Sequence, residues 1–559
     1  MSLTNLALSG LNAAQNRLQT TGHNISNAAT DGFNRQSVFV ETAGSQATSA
    51  GYIGRGAQAV TVYRAYDHFI SKQLVQAETR LSAAKTYQSE VTQVNNLFAD
   101  RTTGISPALQ KFFEGVNAVA SAPGDAAARQ EMLGRANSLV TQVKDTQAFL
   151  DNQRANVNTQ VTTMVSQINS MVERVQDLNQ QVVFAKASAS GHPPNDLLDQ
   201  RDQLVRELSS MVGVTVIEQD DVVNLTIGNG ETILGGGKVF PLVAKGSSED
   251  ASRIVVAVNT MGNAKTAREL PESSIQGGSL GGLIQYRSEI LDSVQNDLGR
   301  MAVGLSETFN ALHRQGADLT DVKGSSNPSG TDFFSVSIGK AVPVSGNTAT
   351  GSPSVVIDDV GGLAGKDYRI TFDGANYSIT PVPAASAADT FGPIDPVATP
   401  KITFQGLEFD FSSVTAPAAN DSWILQPTRA SASQLAVVVQ ESDKIAVAMP
   451  GTGSANGDIG LKLAQLQTNK VLGNGSMSLN EAFSQIVNKV GVQTQQNSTT
   501  VIAQTTLVQQ NYAAQQGISG VNLNEEYVNL DRFQEQFRAS SRLIDVSSKL
   551  FDVLMSLRP

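Results

Sequence analysis

The chain has 559 residues, more than one hydrophobic core can serve, so about two to four domains are expected. Hydrophobic residues make up 40% and charged residues 16%, enough apolar material for globular cores and too little charge for a wholly disordered chain. A net charge of −11 offers no footprint for phosphate backbones or anionic lipid, and the absence of cysteine excludes disulfides, thiolate metal sites and cysteine nucleophiles.

No nucleic acid, membrane or cofactor is therefore expected as a partner. The histidines His23, His68, His192 and His313 stand singly, and His23 beside Asn24 reads as a helix-end residue rather than a base. The first basic residue is Arg17, and polar residues interrupt Ala7, Leu8, Leu11 and Ala13, which excludes a cleaved signal of the usual kind. Taken alone, these facts read as cytoplasmic.

Ala7, Leu11, Ala14, Leu18, Thr21 and Ile25 recur at spacings of four and three, the stripe of a helix packed on a partner helix. Asn24, Asn27, Thr30, Asp31 and Gly32 tolerate turn or left-handed geometry, so that helix ends near Asn27. A short strand is predicted around Val60 and Val62, entered through Gly54 and Gly56. From Asp67 a long helix follows, with Ile70, Leu74, Ala77, Leu81, Ala84, Val91 and Phe98 near heptad spacing. Residues 105–190 continue as helix, broken at Pro123-Gly124, and a further helix runs from about Asp196 to Met211. Val212–Ile217, Val222–Ile227 and Val239–Val243 read as strands parted by Asp220-Asp221 and by glycine clusters, a small β insertion over about 212–275.

Leu280–His313 is helical in pattern. Between 317 and 430 the composition turns to Gly, Pro, Ser, Thr and Asp, with alternating runs at Tyr368–Phe372, Tyr377–Thr380 and Ile402–Phe411 that predict a β-sandwich or barrel. After Ser431 the helical pattern resumes almost to the end, punctuated at Met449–Gly460 and Gly473–Ser478. The last helix carries the strongest periodicity: Leu523, Leu530, Phe533, Phe537, Ser540, Ile544, Ser547, Phe551 and Leu554 follow heptad spacing. A second stripe, Leu543, Val546, Leu550, Val553 and Leu557, runs beside it, and Asn522 followed by Glu525 marks an N-cap with a carboxylate three residues on.

A helix apolar on two adjacent faces needs more than one neighbour. The first and last helices are expected to pair, leaving the second stripe for other subunits. The fold class is thus multidomain α+β. A coiled-coil-like terminal core (1–60 with 520–559) joins a long-helix bundle (61–316 with 431–519) that carries the small β insertion, and a β-rich domain spans 317–430.

No motif demands catalysis. Asp196, Asp199 and Asp202 with Arg201 are spaced by three and read as a solvated helix face, Asp196 capping it. Gly228-Asn229-Gly230 and Gly235-Gly236-Gly237 lie between short strands and read as turns. Gly365-Lys366 lacks both the earlier glycine and the Ser or Thr of a phosphate loop.

The run Ser9-Gly10-Leu11-Asn12-Ala13, continuing to Asn24-Ile25-Ser26-Asn27 and Thr30-Asp31-Gly32-Phe33-Asn34-Arg35, resembles the N-terminal signature of flagellar rod, hook and hook-associated proteins. Ser26 stands where that signature often has alanine, and Phe33 where tyrosine is common. Ser519-Gly520-Val521-Asn522-Leu523-Asn524-Glu525-Glu526, with Leu530, Gln534 and Ala539, resembles the matching terminal helix. Pro194–Val205, Gly278–Leu283 and the length resemble the hook-associated protein 1 family within that group.

The resemblance implies an extracellular structural protein, exported unfolded through the flagellar type III apparatus without a cleaved signal and held beforehand by an export chaperone. It would assemble with itself as a ring on the hook protein, receive the next hook-associated junction protein, line the tube with its terminal helices and turn the β-rich domain outward. The residues so implicated are Ala7, Leu11, Ala14, Leu18, Asn24, Ile25, Asn27, Gly32 and Phe33, with Leu523, Leu530, Phe533, Phe537, Ile544, Leu550, Phe551 and Leu554. Two rival readings are a hook or distal rod subunit, which would extend along a length, and a flagellum-associated hydrolase, which needs converging carboxylates or a metal within 317–430.

Overall fold

The N-terminal stripe forms α1 (Leu3–Ser26), and the chain beyond it turns back as β1 (Gln36–Thr42). A short ribbon, β2 (Ser45–Thr48) and β3 (Gly51–Gly54), precedes β4 (Ala57–Arg64), which pairs antiparallel with β1 through a bulge at Phe39/Val40. The sequence announces only β4. In β1 the apolar Val38, Phe39 and Val40 are consecutive, and the bulge that accommodates them destroys the alternation by which strands are read. The computed structural model describes residues 3–49, 51–99, 104–219, 221–250, 252–259, 267–320, 327–382 and 386–556; Asp220 and Leu557 lie outside the described residues.

The helical body follows as α2 (His68–Ala99), α3 (Ile105–Ser121), α4 (Ala126–Ser188) and α5 (Asn195–Met211). Pro123-Gly124 separates α3 from α4, where the Asp125 side chain caps the new helix by accepting from Ala127 N–H at 2.8 Å. At 63 residues α4 extends about 95 Å and acts as a spine, with buried residues from Met132 to Val182 along one side. Against it lie two small antiparallel sheets. One orders β5 (Val214–Gln219), β6 (Val222–Ile227), β7 (Glu231–Gly235) and β8 (Lys238–Val239); the other joins β9 (Leu242–Gly246), β10 (Ile254–Val258) and β11 (Arg268–Glu269). The strand predicted over Val239–Val243 is therefore two strands in two sheets, divided at Pro241, which has no N–H to give a ladder.

The helix expected from Leu280 to His313 is also divided. It comprises α6 (Gly278–Tyr286), one π-helical turn over Arg287–Leu291 and α7 (Asp292–His313). The extra residue of the π turn re-aims the fully buried Arg287, which donates to Ile254 O at 2.7 Å and to Glu272 at 2.6 Å.

Beyond α7 come β12 (Phe334–Ser335), β13 (Ala341–Pro343), β14 (Ser354–Ile357), β15 (Asp367–Phe372), β16 (Tyr377–Val382), β17 (Phe391–Ile394), β18 (Lys401–Phe404), β19 (Leu407–Asp410) and β20 (Ser422–Leu425). The order β13-β20-β15-β16-β17 makes one open sheet and β14-β19-β18 another, and Tyr368, Ile370, Ile379, Phe409 and Trp423 share one core between them. Sheet-on-sheet packing is thus the arrangement, with Val303 of α7 joining its core.

The chain then forms α8 (Ser431–Gln434), β21 (Ala436–Val437), α9 (Asp458–Gln465), α10 (Leu479–Ser519) and α11 (Leu523–Ser556). The helix expected from Ser431 onward does not form before Asp458, apart from the single turn of α8 and a 3-10 turn at Ser442–Lys444. Ile445–Ala448 is buried as an extended segment, bridged to Ala317 and fastened where Ala446 N–H donates to His313 Nε2 at 2.8 Å.

Where the β-rich domain meets the body, α7 has a glycine because a Cβ at Gly299 would fall 1.7 Å from Thr428 O. Beside it, Asp292 accepts from Arg154 and Arg253, each at 2.7 Å, while Arg429 bonds Asp367, which also accepts from Asn296 at 3.0 Å. Burial works to raise Asp292, but Arg429, Arg253 and Arg154 together hold it well below the ordinary carboxylate range. Burial, resisted by Arg429 and seconded by Asp292, lifts Asp367 to about 6. Since its folded value exceeds the unfolded one, the stabilising contribution of Asp367 is complete below about pH 4 and is lost as pH rises through about 6. Asp292 contributes with the opposite sign and at lower pH. Asp367→Asn is expected to flatten the decline of the urea midpoint between about pH 4 and 6, measured against wild type; equal slopes would assign the titration to another group.

Candidate assembly core and signature clasp

The terminal helices α1 and α11 pack antiparallel in a readable register. Thr4 Oγ1 lies 2.7 Å from Ser547 Oγ, a Cβ at Gly10 would come 2.9 Å from Ser540 Oγ, and Arg17 stacks over the Phe533 ring at 5.3 Å. At the other end Asn24 donates to Glu526 at 3.2 Å. Along this seam Ala7, Ala14 and Phe533 are buried, while Leu11, Leu18, Ile25, Leu530, Phe537 and Ile544 are half-buried. The structure does not bring the remaining C-terminal candidates into the seam. Leu523 is exposed at the first turn, and Phe551 and Leu554, 62% and 67% exposed, overhang the start of α1. Leu550 belongs to the second stripe and is exposed together with Leu543, Val546 and Val553.

Asn522 caps α11 by accepting from Asn524 N–H at 3.0 Å, but Glu525 reaches Arg35 at 3.1 Å instead of folding back. The reciprocal capping box occurs at α10, between Ser478 and Glu481.

Beyond α1 the loop from Asn27 to Arg35 is clasped from two sides. Asn24 donates to Gln36 O and accepts from Gln36 N–H, both at 2.9 Å, so one amide side chain closes the loop as a strand partner would. Arg35 grips the buried Glu526 at 2.7 Å, and its backbone N–H donates to Ser519 O at the junction of α10 and α11. From α5 the Asp199 carboxylate accepts from Asn34 N–H at 2.9 Å, from Asn34 Nδ2 at 2.6 Å and from Arg64 at 2.7 Å, while Asp202 takes the other side of Arg64 at 2.7 Å. Asp196 bridges Gln36 Nε2 at 2.7 Å and His23 Nε2–H at 3.1 Å.

At Asp199 and Asp202 the acidic face of α5 is therefore a socket, while Asp196 stays exposed as the solvated-face reading expects. Asp199 is buried, Asp196 makes no cap, and the buried Arg201 bonds Glu218 and Asp221 O as well as Asp202 at 3.3 Å. Burial raises the Asp199 carboxyl against the pull of Asn34 and Arg64, and burial with Asp202 pushes the Tyr66 hydroxyl up to about 12 under the Arg64 guanidinium.

Phe33 meets the His23 ring edge-on at 5.4 Å, and Asn27 holds that ring from Nδ1 at 3.3 Å. His23 thus fixes the helix end. Gly32 sits at φ +79°, and a Cβ there would lie 2.8 Å from Gln203 Cβ, so both conformation and space demand glycine. Gly32→Ala is expected to cost about 1–2 kcal/mol from left-handed geometry alone, read as a lowered urea midpoint with faster amide exchange at Phe33–Gln36. Among the described residues no cluster could hold a metal ion, and no helix is long and apolar enough to cross a membrane.

Residues 91–334 match the family model described as the helical domain of flagellar hook-associated protein FlgK. Over its full length the chain is 35% identical to flagellar hook-associated protein 1 of Escherichia coli (strain K12), with all of both chains covered. The chain belongs to the flagellar hook-associated protein 1 family. It is 36% identical to the Salmonella typhimurium hook-associated protein 1, again with both chains wholly covered. The solved structure of the flagellar hook junction protein FlgK from Burkholderia pseudomallei matches with a TM-score of 0.72 at 26% identity, covering 80% of this chain and 100% of that one. These hook-associated relatives are structural flagellar proteins.

Proposed function

We propose that the chain forms a thin layer on the tip of the flagellar hook, from which the filament is continued. As a hook-associated protein 1 it is a structural component of the bacterial flagellum at the hook–filament junction. The observation that carries the reading is α11, covered by α1 along one stripe while Leu543, Val546, Leu550 and Val553 face outward bare. So large an exposed apolar stripe on one helix marks a surface that another chain covers.

In this reading residues 1–60 with 520–559 form the inner core, 61–316 with 431–519 the bundle, and 317–430 the outward domain. The copies contact one another, the hook protein below and the next hook-associated junction protein above. An export chaperone shields the terminal segments until the flagellar type III apparatus exports the chain without a cleaved signal. The protein works by packing, not by catalysis. Deleting its gene in the motile host is expected to leave hooks without filaments and flagellin lost to the medium. Loss of the hook itself would point instead to a rod or hook subunit, and normal filaments would overturn the reading.

A further inference from the structure

The β2–β3 ribbon has no place in the fold that holds it. All eight of its residues are exposed, with Tyr52 at 81% and Ile53 at 56%, and Arg55 beyond it forms no ion pair among the described residues. A two-stranded ribbon bare on both faces is marginal in water by itself. Its sequence presents an aromatic ring, a β-branched side chain and a cation within four positions, the composition of a docking element.

The molecule also has a cavity of the complementary kind. Beside the signature loop a cleft of about 570 Å³ has Phe33, Leu178 and Leu204 in its wall. The carboxylates of Asp31, Asp177 and Glu207 on its rim are exposed and form no ion pair among the described residues, against one lining guanidinium, Arg174. The cleft is thus open, acidic and partly aromatic where the ribbon is protruding, cationic and aromatic.

A copy cannot fill its own cleft. The root of the ribbon is tied to the first half of α1, where Ala57 N–H donates to Ser9 Oγ at 3.2 Å. The cleft lies at the far end of α1, at His23 and Asn27, about 21 Å further along the helix. β1 starts beside the clasp at Gln36 and carries the ribbon away from it.

We infer that the β2–β3 ribbon of each copy docks in the signature-loop cleft of a neighbouring copy, Tyr52 or Ile53 against Phe33 and Leu204 and Arg55 among the rim carboxylates. The two patches are different surfaces of the same chain, so the contact is heterologous and repeats from copy to copy, as a ring or helical layer requires. The inference rests on the assembly reading above and names which surfaces meet in it.

The test places p-benzoylphenylalanine at Tyr52 in the full-length chain, irradiates flagella isolated from motile cells, and maps the cross-linked peptides. Cross-links between copies into residues 27–33, 174–181 or 196–207 are expected. Arg55→Glu is expected to lower their yield about tenfold, and adding Asp177→Arg to restore most of it, as an exchanged charge pair does. Flagella that contain the chain but link Tyr52 to another protein, to its own chain or to the α2 surface at Lys72–Gln76 would overturn this inference alone. Absence of the chain from flagella would overturn the assembly reading with it.

Discussion

Replacing Asp199 with alanine is expected to destabilise the clasp by about 3–5 kcal/mol, the usual consequence of removing one member of a buried ion pair. The loss is that large because one carboxylate serves three donors. Arg64, buried over most of its side chain, keeps only Asp202 as an ionic partner, the Asn34 backbone N–H is left without an acceptor, and its side-chain amide keeps only the long bond to Gly32 O at 3.3 Å. The effect is local at first. Amide exchange should accelerate at Asn34–Gln36 and along β4, while the α4 spine, which among the described residues shares no hydrogen bond or ion pair with the clasp, keeps its protection. Asp199→Asn retains an acceptor of the same shape and should lose less. Equal loss in the two variants would mean that the carboxylate charge alone, not an acceptor of that shape, holds the loop. Because burial raises the folded Asp199 carboxyl, its contribution falls as pH rises and does not fall on acidification. Mild acid is therefore not expected to open the clasp through this group.

What could be read beforehand follows the range of the interaction. The stripes of α1 and α11 were legible because each is a local repeat, and so were β15, β16 and β19, whose inward Tyr368, Ile370, Tyr377, Ile379 and Phe409 alternate with polar neighbours. Asp199 and Asp202 of α5 were misread because spacing by three places them on one face without saying what covers it. The cover is Asn34, distant by 165 residues, with Arg64, distant by 135. Ile445–Ala448 misled for the same reason, since four consecutive apolar residues fit a buried helix as well as the extended segment that Ala317 and His313 select. The π turn at Arg287 carries no breaker residue at all, and its buried guanidinium is held by Glu272 and Ile254 O, partners far from it in sequence. Gly32 and Asn24 were legible as a helix end, yet the grip of Arg35 on Glu526 was not, because nothing local links residues so far apart in sequence.

Leu550→Asp and Phe537→Asp are expected to separate folding from assembly, which sequence alone would have treated as one defect. Leu550 is 53% exposed on the second stripe, so a carboxylate there is already solvated in the free chain and should shift its stability by no more than about 0.5 kcal/mol. Once another copy covers the stripe, the same carboxylate is buried without a partner, and incorporation into flagella should cease. Phe537 lies between Phe533 and Ser540 on the seam with α1, half-buried in the free chain. Its replacement by aspartate loses apolar burial and places a charge in the seam with α1, costing the helix pair about 2–4 kcal/mol and freeing both termini to exchange. Amide exchange on the free chain should therefore match wild type for Leu550→Asp and accelerate over residues 3–26 for Phe537→Asp, while both variants fail to appear in purified flagella. Wild-type incorporation of Leu550→Asp would mean that no neighbour covers the second stripe. Altered exchange in that variant would mean that the stripe already packs within one chain, and the need for a second neighbour would disappear with it.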